Sequence, residues 1–123
     1  MATIFAFVVA TIHVYIFYLE SVAWGRPRTN KAFRVSAADA QVNRGFAFNQ
    51  GFYNLFLSTE IMIGLALARS GREAEGNMLT DFGILSVLCA GMVLFFSGKN
   101  YRTPALIQGL PALAYIGFRA LGY

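Results

Sequence analysis

The chain has few charged residues: they make up 13% of its 123 residues, against roughly 25% in an ordinary soluble domain. Hydrophobic residues make up 57%, and the mean hydropathy is +0.54. A soluble domain of this size leaves much of its surface exposed, so one core cannot hide so much apolar surface. The shortage of charge therefore argues against an ordinary soluble protein and favours one that lies in lipid.

Residues that form disulfides and metal sites are also scarce. The lone cysteine, Cys89, allows no intrachain disulfide, and the lone histidine, His13, cannot form a two-histidine metal site. The sequence has no His-Glu-x-x-His, no glycine-rich phosphate loop and no Gly-x-Ser-x-Gly. No familiar catalytic layout or metal site is therefore indicated, and any cofactor stays unknown. Cys89 is interpreted as a small packing residue.

Four long apolar runs make up most of the chain. Each is close to the roughly 20 residues that a transmembrane helix needs, and their continuous apolar character differs from the alternation of barrel strands. We therefore predict one domain over residues 1–123, an all-α integral membrane four-helix bundle. The four runs are Ala2–Trp24, Gly45–Ala68, Thr80–Gly98 and Pro104–Tyr123.

The segment before the second run carries a signal for the start of a helix. Ser36 followed by Asp39 resembles a capping box, with Asp in place of the usual Glu. It predicts that the second helix begins near Ala37 and enters the membrane near Gly45. This helix is therefore expected to extend into the cytoplasm.

Small residues recur along the third run. Gly83, Ser86, Ala90 and Ser97 fall on one stripe at roughly 100° per residue. Small side chains let two helix backbones approach closely in a membrane. We expect this stripe to contact a neighbouring helix.

Basic residues are distributed unevenly between the loops. Seven lie in the first and third loops, and three lie on the other side of the four runs. Because positive charge favours the cytoplasm, we expect a multi-pass protein of the inner membrane with both termini outside. This topology accounts for the net charge of +4, and no nucleic-acid partner is expected.

Polar side chains within the apolar runs are the candidates for function. His13 and Glu20 are seven residues apart, so they share one face of the first helix. Glu20, Gln50 and Gln108 each lie about one turn from the cytoplasmic end of their helices. Ionisable groups in a membrane usually face the bundle interior, so we expect a cytoplasm-facing cavity with His13 at its floor. The predicted ligand-binding residues are His13, Tyr18, Glu20, Asn49, Gln50, Tyr53, Asn54 and Gln108.

A purely structural interpretation stays open for the same residues. Interhelical hydrogen bonds hold membrane bundles together without any further role. Glu20 can pair with Arg26 or Arg44 at the interface, and His13 can donate to a backbone carbonyl. Glu60 is the weakest candidate, because it is expected near the outer interface.

Three segments of the chain resemble the signatures of a known family. They are His13–Glu20, Asn49–Asn54 and Gln108–Ala112, with the sequences HVYIFYLE, NQGFYN and QGLPA. They look like the signatures of the small bacterial membrane proteins catalogued as domain of unknown function thirteen-oh-four. The resemblance covers nearly the whole chain. It implies a compact four-helix membrane protein and brings no established activity.

Three functions remain open. The first is binding or transport of a small organic molecule or a proton-coupled solute. The second is a membrane enzyme that uses His13 and Glu20 as an acid–base pair on a lipid-soluble substrate. The third is an accessory subunit of a larger membrane complex. The expected partners are the lipid bilayer and either further copies of the chain or other subunits of such a complex.

Overall fold

The computed structural model describes all residues from 1 to 123, and 87% of them are helical, with no strands. The prediction of an all-α fold is confirmed. A π-helical turn, Tyr18–Val22, continues the first helix, and a 3₁₀ turn, Lys99–Tyr101, precedes the last. The helices are α1 (Ala2–Phe17), α2 (Pro27–Phe33), α3 (Ala37–Val42), α4 (Arg44–Arg69), α5 (Glu73–Ser97) and α6 (Arg102–Ala120).

Three helices are long and apolar enough to cross a membrane: α1 with its π-helical turn, α4 and α5. They contain all of the second apolar run and all but the last one or two residues of the first and third, and these three runs are thereby confirmed as candidate spans by length and composition. The fourth run forms α6, which is not among these candidates. Arg102, Gln108 and Arg119 lower the apolar content of α6.

The four long helices form a closed ring. α1 packs against α4 on one side and α6 on the other, while α5 contacts the same two helices and barely touches α1. The two chain ends meet, because the backbone N–H of Ala2 donates to the carbonyl of Tyr123 at 3.1 Å. Both termini and the turn between α4 and α5 therefore lie at one end, which we call the terminal end. The segment from α2 to the start of α4 lies at the other, the loop end.

The core of the ring is built from small and branched side chains. The inward face of α1 repeats at intervals of three and four residues and presents Ala6, Val9 and Ala10, all fully or almost fully buried. These residues belong to one cluster with Ile61 of α4 and Ala112 of α6. Small side chains on α1 thus let its neighbours approach closely.

The crossing of α4 and α5 is the tightest contact near the terminal end. A Cβ atom added to Gly64 would lie 2.7 Å from the backbone nitrogen of Thr80 and 2.8 Å from the carbonyl oxygen of Gly76. A Cβ atom on Gly76 would in turn collide with the backbone of Ala68. Only glycine fits at these two positions without a shift of one helix against the other.

The predicted small-residue stripe on α5 is only partly correct. Gly83 is buried, and a Cβ atom there would lie 2.8 Å from Ile61 of α4. Ser86 is half-buried and Ala90 is exposed, so the extension of the stripe to Ala90 is wrong. The buried face changes direction along α5 because this helix packs against α4 near Gly83 and against α6 near Gly91.

The predicted cytoplasmic extension of the second membrane helix is not confirmed, because the structure divides this segment into α3 and α4. Ser36 does cap α3, since its Oγ accepts a hydrogen bond from the backbone N–H of Asp39 at 3.0 Å. The chain leaves helical geometry at Asn43, where φ is −90° and ψ is 7°. Trp24 donates from Nε1 to the carbonyl of Ala40 at 2.8 Å, which holds α3 against the end of the first helix.

Candidate functional site

The first helix changes its winding where its polar residues cluster. The backbone N–H of Ala23 donates to the carbonyl of Tyr18 at 2.8 Å, a spacing of five residues instead of four. Single π-helical turns within α-helices occur frequently at functional sites. Glu20 lies in the middle of this turn.

The carboxylate of Glu20 is bound by the neighbouring helix. Asn54 of α4 donates from Nδ2 to Glu20 Oε2 at 2.9 Å, and it also donates to the carbonyl of Gln50 at 3.0 Å. The two helices are close here, because a Cβ atom on Gly51 would collide with the Ser21 side chain. The sequence predicted Gln50 and Gln108 at the depth of Glu20, but the amide that binds this carboxylate is Asn54.

No cation reaches the Glu20 carboxylate. The two ion pairs in the structure are Arg72–Glu75 and Arg119–Asp81. Arg26 donates instead to the Tyr18 hydroxyl, at 3.5 Å. The alternative in which Glu20 pairs with a loop arginine is therefore absent from the structure, and the carboxylate has only an amide as its partner.

His13 is fully buried within the ring. Its Nδ1 lies 2.8 Å from the carbonyl oxygen of Val9, and because a carbonyl only accepts, Nδ1 carries the proton. Nε2 is therefore an acceptor in the neutral ring, and it has no hydrogen-bond partner. The side-chain amide of Gln108, also buried, lies beside the imidazole.

The predicted site residues form two pairs and a set of surface residues. Glu20 meets Asn54, and His13 lies beside Gln108; at 1.5 Å per residue His13 and Glu20 are about 10 Å apart along the helix. Gln50 is exposed next to Asn54, Glu20 is half-buried and His13 is fully buried. The remaining predicted residues lie on the exposed surface of the molecule: Tyr18, Asn49 and Tyr53.

A second polar cluster escaped the sequence analysis. At the terminal end the Tyr115 hydroxyl donates to Asp81 Oδ1 at 2.6 Å, and Arg119 Nε approaches the same oxygen at 3.4 Å. Tyr115 and Arg119 are four residues apart on α6, so they share a face. The signal was present in the sequence as an acidic residue inside the third apolar run. Its partners were not, because they lie 34 and 38 residues away.

The fold and these polar pairs define a small all-helical protein with three helices apolar enough to cross a membrane. The family described as Protein of unknown function (DUF1304) matches residues 7–118, and the chain belongs to this family. The matched segment contains all eight predicted site residues, and the resemblance seen in the three signature segments is confirmed. No curated protein matches the chain, and no solved structure matches it.

Proposed function

We propose that this chain is a four-span membrane protein that binds a small polar organic molecule, in a recess leading from Gln50 to His13. The observation that carries the proposal is the Glu20–Asn54 hydrogen bond, which holds a carboxylate between two candidate spans without a cation. Ionisable groups in such positions are costly and usually serve a function.

The length and surface of α6 support a fourth span. Its 19 residues extend about 28 Å at 1.5 Å per residue, close to the roughly 30 Å of a bilayer's hydrocarbon core. Leu106, Leu110 and Leu113 are exposed on its outer face. Because α6 closes the ring between α1 and α5, these side chains would face lipid with those of the other spans.

The recess is supported by a gradient of exposure along the polar residues. Gln50 is open at the loop end, Glu20 and Asn54 are half-buried, and His13 is closed off at the greatest depth. Glu20 and His13 share one face of the first helix, and Asn54 and Gln50 are neighbours on one face of α4. A solute entering from the loop end would meet these groups in that order.

The free groups in the recess favour a ligand rich in hydrogen-bond donors. The Glu20 carboxylate accepts one hydrogen bond from protein, and neutral His13 offers an unoccupied acceptor at Nε2. A carboxylate without a protein cation suits a cationic or hydroxylated molecule. Proton-coupled transport fits the same groups, since both side chains exchange protons.

The separation of His13 and Glu20 argues against the enzyme alternative. A general acid and base need to reach the same reacting group by hydrogen-bonding distances of roughly 2.6–3.2 Å. The two side chains lie about 10 Å apart along one helix. Binding or transport does not require both side chains to reach the same atom, so this separation is more compatible with binding or transport than with direct acid–base catalysis.

A second candidate function, an accessory subunit or a homo-oligomer, is favoured by one surface feature. Asn49 lies in a shallow hollow beside Val42 and Phe46, both more than three-quarters exposed. Tyr53 is exposed one turn further along α4. Polar groups at membrane depth gain from hydrogen bonds to another helix, so a neighbouring protein chain would stabilise this face.

The proposed orientation places the loop end in the cytoplasm and both termini outside, in the inner membrane. It rests on the excess of basic residues at the loop end and is compatible with the pairing of the two chain ends. Lys31 in α2 and Ala74 in the first turn of α5 are exposed at opposite ends of the molecule, so single cysteines there, in a Cys89→Ser background, report on sidedness. An impermeant thiol reagent added outside should label A74C alone. Labelling of K31C alone would reverse the orientation.

Binding is tested with Glu20→Gln, which keeps the shape of the side chain and removes its charge. The purified chain in detergent is heated with a panel of small primary amines and polyols. A compound present at 100 times its Kd should stabilise the protein by about 2.7 kcal/mol, and E20Q should lose that shift. Glu60→Gln, which neutralises another half-buried carboxylate on α4, is the matched control and should keep it. Equal shifts in wild type and E20Q would contradict the proposed site.

A further inference from the structure

A groove opens between α5 and α6 near the terminal end of the molecule. Its volume is about 360 Å³, within the range of roughly 300–1,000 Å³ common for small-molecule sites. It is separate from the recess proposed above, because none of its lining residues belongs to α1 or α4. Its lining combines the polar cluster that the sequence analysis missed with apolar side chains: Asp81, Leu85, Tyr115, Ile116, Arg119 and Ala120.

The charges in this groove are only partly used by the protein. The Tyr115 hydroxyl and Arg119 Nε share one oxygen of Asp81, Oδ1, so Oδ2 accepts no protein hydrogen bond. The two terminal nitrogens of Arg119 have no protein partner either. Asp81 and Arg119 are 40% and 43% exposed. A negative and a positive group therefore stand side by side, each with free hydrogen-bonding capacity.

In the proposed four-span arrangement, the groove lies near one membrane interface. Arg119 is the penultimate residue of α6, and Asp81 lies eight residues after the start of α5, about 12 Å along its axis. The intervening part of α5 begins with charged residues, Glu73 and Glu75. Leu85 is exposed one turn deeper than Asp81. A polar head placed on the charges would thus continue into apolar surface.

We propose that this groove binds the headgroup of a zwitterionic phospholipid with a primary ammonium group. The phosphate would accept hydrogen bonds from the two terminal nitrogens of Arg119, a geometry that favours paired bonds to phosphate oxygens. The ammonium would donate to Asp81 Oδ2, and an acyl chain would lie along Leu85 and Ile116. The observation behind this choice is charge complementarity, since the groove offers one anion and one cation over an apolar floor.

The same geometry disfavours two other common headgroups on chemical grounds. A glycerol headgroup carries the phosphate without an ammonium, so it leaves Asp81 without a cationic partner. A choline headgroup carries a positive charge but no N–H, so it cannot donate to Oδ2. Phosphatidylethanolamine has both features, and it should be selected over phosphatidylglycerol and phosphatidylcholine.

The proposal is tested on the full chain, freed of lipid in detergent and offered an equal mixture of the three lipids. Native mass spectrometry measures how much of each lipid stays bound. Because one hydrogen bond to a charged group contributes about 1.5 kcal/mol or more, phosphatidylethanolamine should be retained about tenfold over phosphatidylglycerol. Asp81→Asn should reduce this ratio to about one. Glu75→Gln removes an exposed charge at the same end and should leave the ratio unchanged.

Three outcomes would overturn the site: equal retention of all three lipids by the wild type, no retained lipid, or an undiminished preference in D81N. If D81N does not fold, Arg119→Gln replaces it and should lower retention of every phospholipid. Free phosphoethanolamine added at the same concentration should not displace the lipid. Displacement would show that the groove holds the soluble headgroup rather than a lipid. E20Q should retain the lipid preference, so failure here is distinguishable from failure of the proposed recess.

Discussion

Asp81 and Glu20 are carboxylates near opposite ends of one ring of helices, and each accepts a hydrogen bond from a neighbouring helix. At the terminal end Asp81 also has a cation, Arg119, at 3.4 Å. At the loop end Glu20 has only the amide of Asn54. The difference separates two environments for a partly buried carboxylate: Asp81 has a protein cation beside one of its oxygens, and Glu20 has no protein cation.

Helix packing also differs between the terminal end and the loop end. At the terminal end α4 and α5 meet through glycine backbones, and at the loop end α1 and α4 meet through Gly51 and the Ser21 side chain. A clash with backbone atoms is relieved only if one helix moves, whereas a clash with the Ser21 hydroxyl is relieved when that side chain rotates. We therefore expect the contact between α4 and α5 to tolerate an added methyl group less well than the contact between α1 and α4.

The largest expected effect tests this contrast in rigidity. Gly64→Ala places a methyl group 2.7 Å from the backbone nitrogen of Thr80, so it should destabilise the protein by about 3 kcal/mol. Gly51→Ala collides with the Ser21 hydroxyl, which can rotate away from its bond to the Phe48 carbonyl, and the nearest atoms are then the Cβ atoms of Glu20 and Ser21, both at 3.1 Å. Its cost should be about 1 kcal/mol. Unfolding in detergent by added sodium dodecyl sulfate measures both.

Gly117→Ala is the control for these two variants, because nothing lies within 4 Å of its added Cβ atom. It should be neutral or stabilise α6 by up to about 1 kcal/mol, since alanine favours a helix more than glycine. Equal losses for the variants at positions 51 and 64 would mean that the two ends are equally rigid.

A smaller effect tests the hydrogen bond that Asp81 accepts from Tyr115. Tyr115→Phe removes the 2.6 Å hydrogen bond to Asp81 and leaves the ring in the core. Hydrogen bonds to charged groups contribute about 1.5–3 kcal/mol, so a loss of about 1.5 kcal/mol is expected at this partly exposed site. Tyr101→Phe removes an exposed hydroxyl without a protein partner and should change the free energy of unfolding by less than about 0.5 kcal/mol. Equal stability of the two variants would show that the Tyr115 bond contributes nothing.

The features that depend on local stretches of the sequence were predicted correctly. Long apolar runs gave the helices and three candidate spans, because lipid exposure requires continuous apolar surface. The cap at Ser36 was also local and was correct. The break at Asn43 was missed because it accompanies a contact from Trp24 to Ala40, sixteen residues apart. Helix ends that depend on neighbouring residues can be predicted from the sequence, whereas breaks that depend on contacts between distant residues cannot.

The candidate site was predictable only in part. The polar residues of the spans and the shared face of His13 and Glu20 followed from spacing, but the depth argument placed Gln50 and Gln108 near Glu20 and missed Asn54, the amide that binds it. The sequence does not show which residues of α4 point inward, because this depends on where α1 and α5 pack against it. Asn54 therefore faces Glu20 while Tyr53, one residue earlier, is exposed. The Asp81 cluster required knowing that α5 and α6 are neighbours.

The central claim is that the charge of Glu20 holds a small molecule in the recess. The most direct measurement is native mass spectrometry of the chain purified gently from its own membrane, in wild type, E20Q and E60Q. The account predicts a bound small molecule, distinct from phospholipid, in wild type and E60Q and its loss in E20Q, with all three proteins folded. A molecule retained equally by E20Q, or none in the wild type, would contradict the account and leave Glu20 and Asn54 as a structural link between α1 and α4.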